Sequence, residues 1–239
     1  MERALAIREK VLGPEHPDTA TSVNTLARLL QAQGNLAKAR PLMERALAIR
    51  EKALGPKHGY TATSLNTLAR LLQAQGNLAK ARPLMERALA IREKILGPEH
   101  PTTATSLDNL AVLLKTEGNL AGARPLLERA LAIREKALGP EHPETANSLN
   151  SLAVPLKTQG DLAGARPLYE RALAIKEKAL GAEHPDTAIG LNNLARLLEV
   201  QGDLGGARPL LERALAIREK ALGSEHPDTA ESLARAFPD

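Results

Sequence analysis

The side chains best suited to chemistry in this chain are its six histidines, and they are evenly spaced. His16, His58, His100, His142, His184 and His226 follow one another at intervals of 42 positions, and no other histidine occurs. An imidazole can ligate a metal or move a proton near neutral pH. Zinc ligands, however, must converge on one point ~2.0–2.1 Å away, whereas equivalent positions of stacked repeats stand a helix spacing of ~8–10 Å apart. No cysteine is present to complete a ligand set or to act as a thiol nucleophile. The sequence therefore implies no metal and no other cofactor, and a structural role at a helix start suffices for the histidines.

The remaining chemical candidates are equally repetitive. The recurring E-R-A-L-A-I-R-E-K carries acids and bases, but nothing singles out one copy, so it reads as a solvated helix face. No Ser–His–Asp arrangement is assembled uniquely, and neither G-x-G-x-x-G nor G-x-x-x-x-G-K occurs. A reaction that needs one unique constellation is not written six times over, so the expectation is a protein that is not an enzyme.

A fixed period between 20 and 50 residues is the mark of a solenoid, whose units are buried only by their neighbours. Alanine and leucine supply nearly all the apolar surface, and the aromatics are Tyr60, Tyr169 and Phe237 alone. Such a core suits close helix packing and argues against a sheet. In the unit that begins at His100, Leu107, Leu110, Ala111 and Leu114 fall at i, i+3, i+4 and i+7 on one face of a first helix. Gly118 ends that helix, and Asn119 is placed to cap a second one. The second helix runs to Leu138, with Leu126, Ala130, Ile133 and Ala137 on one stripe and Leu127, Leu131 and Leu138 beside it, before Gly139-Pro140 stops it.

Chain-wide, the pattern predicts first helices at 17–32, 59–74, 101–116, 143–158 and 185–200, and second helices at 36–54, 78–96, 120–138, 162–180 and 204–222. The expected organisation is one array over 1–239. It comprises a partial leading repeat at 1–16, full repeats at 17–58, 59–100, 101–142, 143–184 and 185–226, and a partial trailing repeat at 227–239. Pro155 falls inside a first helix, where the lost hydrogen bond costs ~3 kcal/mol or more. It reads as a tolerated defect in a redundant array, with a functional kink that widens the groove as the alternative. Pro41, Pro83, Pro125, Pro167 and Pro209 lie just past the first turn of each second helix and suggest a shared gentle bend.

With N-x-L-A-x-L-L, Q-G-x-L, A-R-P-L-x-E-R-A-L-A-I-R-E-K and G-P-E-H-P recurring, the chain resembles a tetratricopeptide-repeat array of the 42-residue kinesin-light-chain-like class. Leu110, Ala111, Gly118, Ala123, Leu127 and Ala130 follow the small and large positions of the shorter 34-residue repeat. The resemblance implies an all-α solenoid of antiparallel helix pairs, wound as a right-handed superhelix. It also implies a concave face lined by the first helices, peptide binding there, and an adaptor role without catalysis.

The first-helix face turned away from the apolar stripe carries positions 5, 8, 12 and 15 after each histidine. Position 8 reads Asn24, Asn66, Asp108, Asn150 and Asn192. An asparagine amide both donates and accepts, which suits capture of a peptide backbone. The resemblance implies such contacts for the asparagines, and Asp108 departs from the pattern. Position 12 reads Arg28, Arg70, Val112, Val154 and Arg196, and position 15 reads Gln31, Gln73, Lys115, Lys157 and Glu199. The balance is basic, so the fitting ligand is an extended acidic segment whose carboxylates arginine can grip bidentately.

The overall charge of +4, from 32 basic and 28 acidic residues, is mild and well mixed. With almost no aromatics for base stacking, nucleic acid is not expected. Neither a signal-like leader nor an apolar run of ~20 residues occurs, so no membrane is expected and the cytoplasm is the expected compartment. Met1-Glu2-Arg3-Ala4-Leu5 matches Met43–Leu47, so the leading half-repeat lacks a first helix, and the trailing one departs from pattern at Arg235. Two alternatives to the peptide-binding scaffold follow: a self-assembling module using head-to-tail contacts, or a sensor array within a larger regulatory protein. The copies are nearly identical. Asp18–Gly59 and Tyr60–Pro101 differ only at Asp18/Tyr60, Val23/Leu65, Ala53/Ile95, Lys57/Glu99 and Gly59/Pro101.

Overall fold

A computed structural model describes residues 2–236, leaving Met1 and Phe237–Asp239, with the aromatic Phe237, outside the described residues. Every element among the described residues is a helix, without strands. In order they are α1 (Glu2–Leu12), α2 (Pro17–Ala32), α3 (Leu36–Leu54), α4 (Gly59–Ala74), α5 (Leu78–Leu96), α6 (Pro101–Thr116) and α7 (Leu120–Leu138). They continue as α8 (Pro143–Thr158), α9 (Leu162–Leu180), α10 (Pro185–Val200), α11 (Leu204–Leu222) and α12 (Pro227–Ala236). The five first helices and five second helices coincide with the spans read from the sequence. The chain divides into two compact units, Met1–Leu126 and Leu127–Asp239.

The first five histidines are helix caps. His16 Nδ1 accepts the N–H of Asp18 at 3.2 Å, and His58, His100, His142 and His184 accept from Tyr60, Thr102, Glu144 and Asp186 at 3.1 Å each. Each ring thus satisfies a donor that the first turn would leave unpaired. Three residues after each of the first five histidines, a buried threonine donates to the carbonyl of the preceding stop glycine, as Thr61 does to Gly55 at 2.9 Å and Thr187 to Gly181 at 2.8 Å. Gly76, at φ 75°, makes the reversal from α4 to α5, and Asn77 N–H then reaches the Leu72 carbonyl at 2.8 Å. One beat of the repeat is therefore a stop glycine, a histidine cap and a threonine tie.

Within unit 1, Ala62, Leu65, Ala88 and Ile91 form a buried cluster with Leu47 and Leu84 against it. Unit 2 repeats that cluster as Ala146, Leu149, Ala172 and Ile175, with Leu131 and Leu168. The fully buried alanines let paired helices approach closely, so enlarging one overpacks the joint. The second-helix stripe is narrower than the sequence suggested, because Ala137 and Leu138 are exposed while Ala123 is buried. Pro155 is buried inside an unbroken α8, and the prolines of the second helices likewise sit within continuous helices.

Candidate functional site

In unit 1, α2, α4 and α6 line a cavity of about 450 Å3 that α5 also reaches through Arg92. Asn24 and Arg28 are four residues apart on α2, as Asn66 and Arg70 are on α4, so each pair shares one helix face and meets at the cavity. The threonines between them are already engaged: Thr63 Oγ1 donates to the Gly59 carbonyl at 3.2 Å, and Thr67 Oγ1 to the Thr63 carbonyl at 2.9 Å. The amides are not. Asn66 is 6% exposed, and both its Oδ1 and its Nδ2 are buried without a partner among the described residues; Asn24 Oδ1 is in the same state. Buried polar atoms are rarely left so, and each costs about 1–3 kcal/mol unless something completes it.

Charge accompanies that unmet hydrogen-bonding capacity. Arg28 and Arg70 are exposed at the cavity, and neither has an ionic partner among the described residues. Arg92 enters from α5, donates to Ser106 Oγ at 2.6 Å and is 9% exposed, and burial pushes its pKa down. No carboxylate lines the cavity. It presents three guanidiniums and two under-used amides. Among the described residues no three of His, Cys, Asp and Glu gather as metal ligands.

Tetratricopeptide-repeat models match residues 1–52, 21–94, 60–136, 109–178, 156–220 and 186–236, which together span nearly the whole chain. The chain belongs to the tetratricopeptide-repeat family. Among solved structures, a kinesin-light-chain-like protein of Podosopora anserina with nearly identical TPR-like repeats is 35% identical. That match covers 87% of this chain and 98% of that one, with a TM-score of 0.75. BtubC (BKLC) of P. vanneervenii is 26% identical over 95% of this chain and 89% of its own, with a TM-score of 0.77. MamA of Desulfovibrio magneticus, at 12% identity and a TM-score of 0.59, shares the fold alone. No curated protein sequence matches the chain. TPR arrays of this kind are typical protein-interaction scaffolds.

The other TPR positions expected at the site are distributed differently. Asp108 and Lys115 lie on α6 but not on the cavity wall, where Thr105 and Asn109 stand instead. Lys115 is half-buried; desolvation pushes its pKa down, and the Asp108 carboxylate draws it partly back up. In unit 2, Asn150 and Lys157 lie on α8, and Asn192 and Arg196 on α10. Asn150 Oδ1 and Asn192 Oδ1 are buried without a partner among the described residues, and Asn192 Nδ2 donates to the Ala188 carbonyl at 3.1 Å. Arg196 is exposed and acts on the buried Tyr169, whose hydroxyl burial pushes up to about 12 against the pull of that cation.

Part of the E-R-A-L-A-I-R-E-K face is solvated, as with Glu86 and Lys94, but its later cation is not. Arg50, Arg92, Arg134 and Lys176 are all buried. The last turn of each second helix lies against the following first helix, and a serine there accepts from the guanidinium: Ser64 for Arg50 at 2.8 Å, Ser106 for Arg92 and Ser148 for Arg134. Arg92 was thereby missed as a wall of the cavity. The fourteen-residue Arg-to-Ser interval was its visible trace.

Proposed function

We propose that this TPR scaffold takes an extended acidic peptide along the first-helix face of unit 1. The observation that carries the reading is Asn66, whose amide is buried with both polar atoms unmet between Arg28, Arg70 and Arg92. A peptide N–H and C=O would complete the amides of Asn66 and Asn24, and Asp or Glu side chains would meet the exposed guanidiniums. The family's role as an interaction scaffold supports a macromolecular ligand, and the absence of any acid from the cavity wall supports its sign. Backbone capture is tolerant of sequence, which fits near-identical repeats better than one exacting partner does.

The test is fluorescence anisotropy with labelled Glu/Asp-rich peptides, alongside Lys-rich peptides of equal length. Arg28→Glu combined with Arg70→Glu lowers acidic-peptide affinity at least roughly tenfold, and Asn66→Ala lowers it by a few fold without changing its salt dependence. Partners captured by the wild type from a native lysate are lost with the arginine double variant. Equal binding by wild type and both variants, or no preference for acidic over basic peptides, overturns the reading.

A further inference from the structure

A second site stands on the other side of unit 1, where second helices meet the loops between repeats. Elsewhere that side is neutralised by a regular ion pair. Lys52 Nζ meets Glu15 Oε2 at 2.5 Å, Lys178 meets Glu141 at 2.5 Å, and Lys220 meets Glu183. The lysine ends its second helix, and the glutamate is the residue before the preceding repeat's capping histidine. In the repeat of α5 the lysine is Lys94, but the position opposite is Lys57, not glutamate. Neither Lys57 nor Lys94 has an ionic or hydrogen-bonded side-chain partner among the described residues.

Those two lysines, Arg87, Pro56, Ala90 and Ile91 enclose a cavity of about 290 Å3. Its counterpart in unit 2 is a natural control: Pro140, Glu141, Arg171, Ala174, Ile175 and Lys178 enclose about 320 Å3. The frames are the same. Arg87 pairs with Glu51 at 2.7 Å and donates to the Pro56 carbonyl at 3.2 Å, and Arg171 pairs with Glu135 at 2.6 Å and donates to the Pro140 carbonyl at 3.3 Å. With each arginine balanced by its own glutamate, the unit 2 cavity is neutral. The unit 1 cavity keeps two uncompensated positive charges over an apolar floor.

We propose that this cavity binds an organic phosphomonoester, with the phosphoryl group between Lys57 and Lys94 and the ester's apolar group against Ile91 and Ala90. Two ammonium groups without an acid match a group that carries about −1.5 to −2 at neutral pH, and lysine serves phosphate as a point charge. A single carboxylate would balance only one of them. The apolar floor selects an aryl or alkyl ester over the bare anion. The site is independent of the groove, since none of its residues lines the cavity of Asn66.

The full chain is titrated at low ionic strength with phenyl phosphate by calorimetry, with inorganic phosphate and benzenesulfonate alongside. Phenyl phosphate binds with one equivalent per chain and more tightly than either control. Lys57→Glu, which restores the residue found opposite the other lysines, weakens binding roughly tenfold or more. Glu141→Lys, which gives the unit 2 cavity the composition of its unit 1 counterpart, adds a second equivalent. Both substitutions install a residue the array already holds at that position, so neither threatens folding. A short phosphotyrosine peptide binding more tightly than phenyl phosphate assigns the ester to a protein side chain, and equal binding assigns it to a free small molecule; either outcome supports the site. Phenyl phosphate bound no better than its controls, unchanged by Lys57→Glu, or without a second equivalent after Glu141→Lys, overturns it.

Discussion

The joint around Arg50 in unit 1 and the joint around Lys176 in unit 2 occupy equivalent places and are built on different physics. Arg50, at the end of α3, donates through Nη1 to Ser64 Oγ at 2.8 Å and to the Tyr60 carbonyl at 3.3 Å, and through Nη2 to Thr21 Oγ1 at 3.1 Å. The Tyr60 ring lies 5.5 Å from its guanidinium carbon. One fork therefore ties α2 to α4, the two helices that carry Asn24, Arg28, Asn66 and Arg70. Lys176 reaches only the Asp186 carbonyl, at 3.4 Å, and where a serine would stand there is Gly190. Leu173 fills that space: a Cβ on Gly190 would meet its Cδ1 at 3.2 Å. The arginine joint is held by directed polar bonds, the lysine joint by apolar contact. A guanidinium offers several donors in a fixed fork, whereas an ammonium offers a point charge, so losing the arginine and losing its serine acceptor go together.

The largest difference should appear on truncation. Arg50→Ala strands the Ser64 hydroxyl, removes a second donor from the Tyr60 carbonyl and removes the cation–π contact, for a loss of about 3 kcal/mol. Lys176→Ala costs about 1 kcal/mol, because one long hydrogen bond and some stem packing are lost. Arrays of repeats unfold in parts, so the measurement is hydrogen exchange of the α4 amides for the first variant and of the α10 amides for the second. Equal losses would show that the fork does no more than the ammonium. Because Arg50 positions α2 against α4 without lining the cavity, its truncation should also weaken acidic-peptide binding while leaving phenyl phosphate binding intact.

These joints also mark where the sequence stopped being readable. The bounds of the ten paired helices were legible because glycine and histidine recur as punctuation, each with a local hydrogen bond to make; the threonine tie was not read. That Asn24 and Arg28 share one face, as Asn66 and Arg70 do, was legible from the spacing of four. Arg92 was not, since its entry to the same cavity depends on how a second helix leans on the next repeat, and charged neighbours disguised it as solvated. Asp108 and Lys115 share one face of α6, but Thr105 and Asn109 are the residues that α6 gives to the wall. Lys57 was visible as a lone departure from glutamate. Its meaning needed Lys94 opposite it, thirty-seven positions on, as in the pairs Glu15–Lys52 and Glu141–Lys178.

Converting one joint into the other sharpens the comparison at a smaller scale. Gly190→Ser alone forces its new Cβ on Leu173 and offers a hydroxyl that Lys176 does not meet, at a cost of about 1 kcal/mol. Lys176→Arg alone buries a larger fork without its acceptor and also destabilises. Together they rebuild the Arg-to-Ser bond, so the double variant should exceed the sum of the single ones by about 1 kcal/mol in favourable coupling. A double-mutant cycle read from α10 exchange measures it. Additivity would mean that Leu173, and not the missing serine, decides the joint.

The smallest expected effect is in pH. Burial pushes the Lys176 ammonium below its ordinary 10.5, and the nearby Asp186 carboxylate only partly opposes this. In the window between that lowered value and 10.5 the unfolded chain holds more protons at this lysine than the folded one, so folding stability contributed there rises with pH. Below the window both states are protonated, and the full desolvation penalty is present. Arginine does not titrate in this range, so Lys176→Arg lacks the relief. The stability of the wild type relative to Lys176→Arg, followed by urea unfolding from neutral to mildly alkaline pH, should therefore shift in favour of the wild type. The Arg50→Lys variant should show the same slope if burial is its cause, because it places an ammonium in the equally buried unit 1 joint. A flat difference for both would mean that the lysine stem bends its amine into water, and the contrast between the joints would then be one of reach and not of charge.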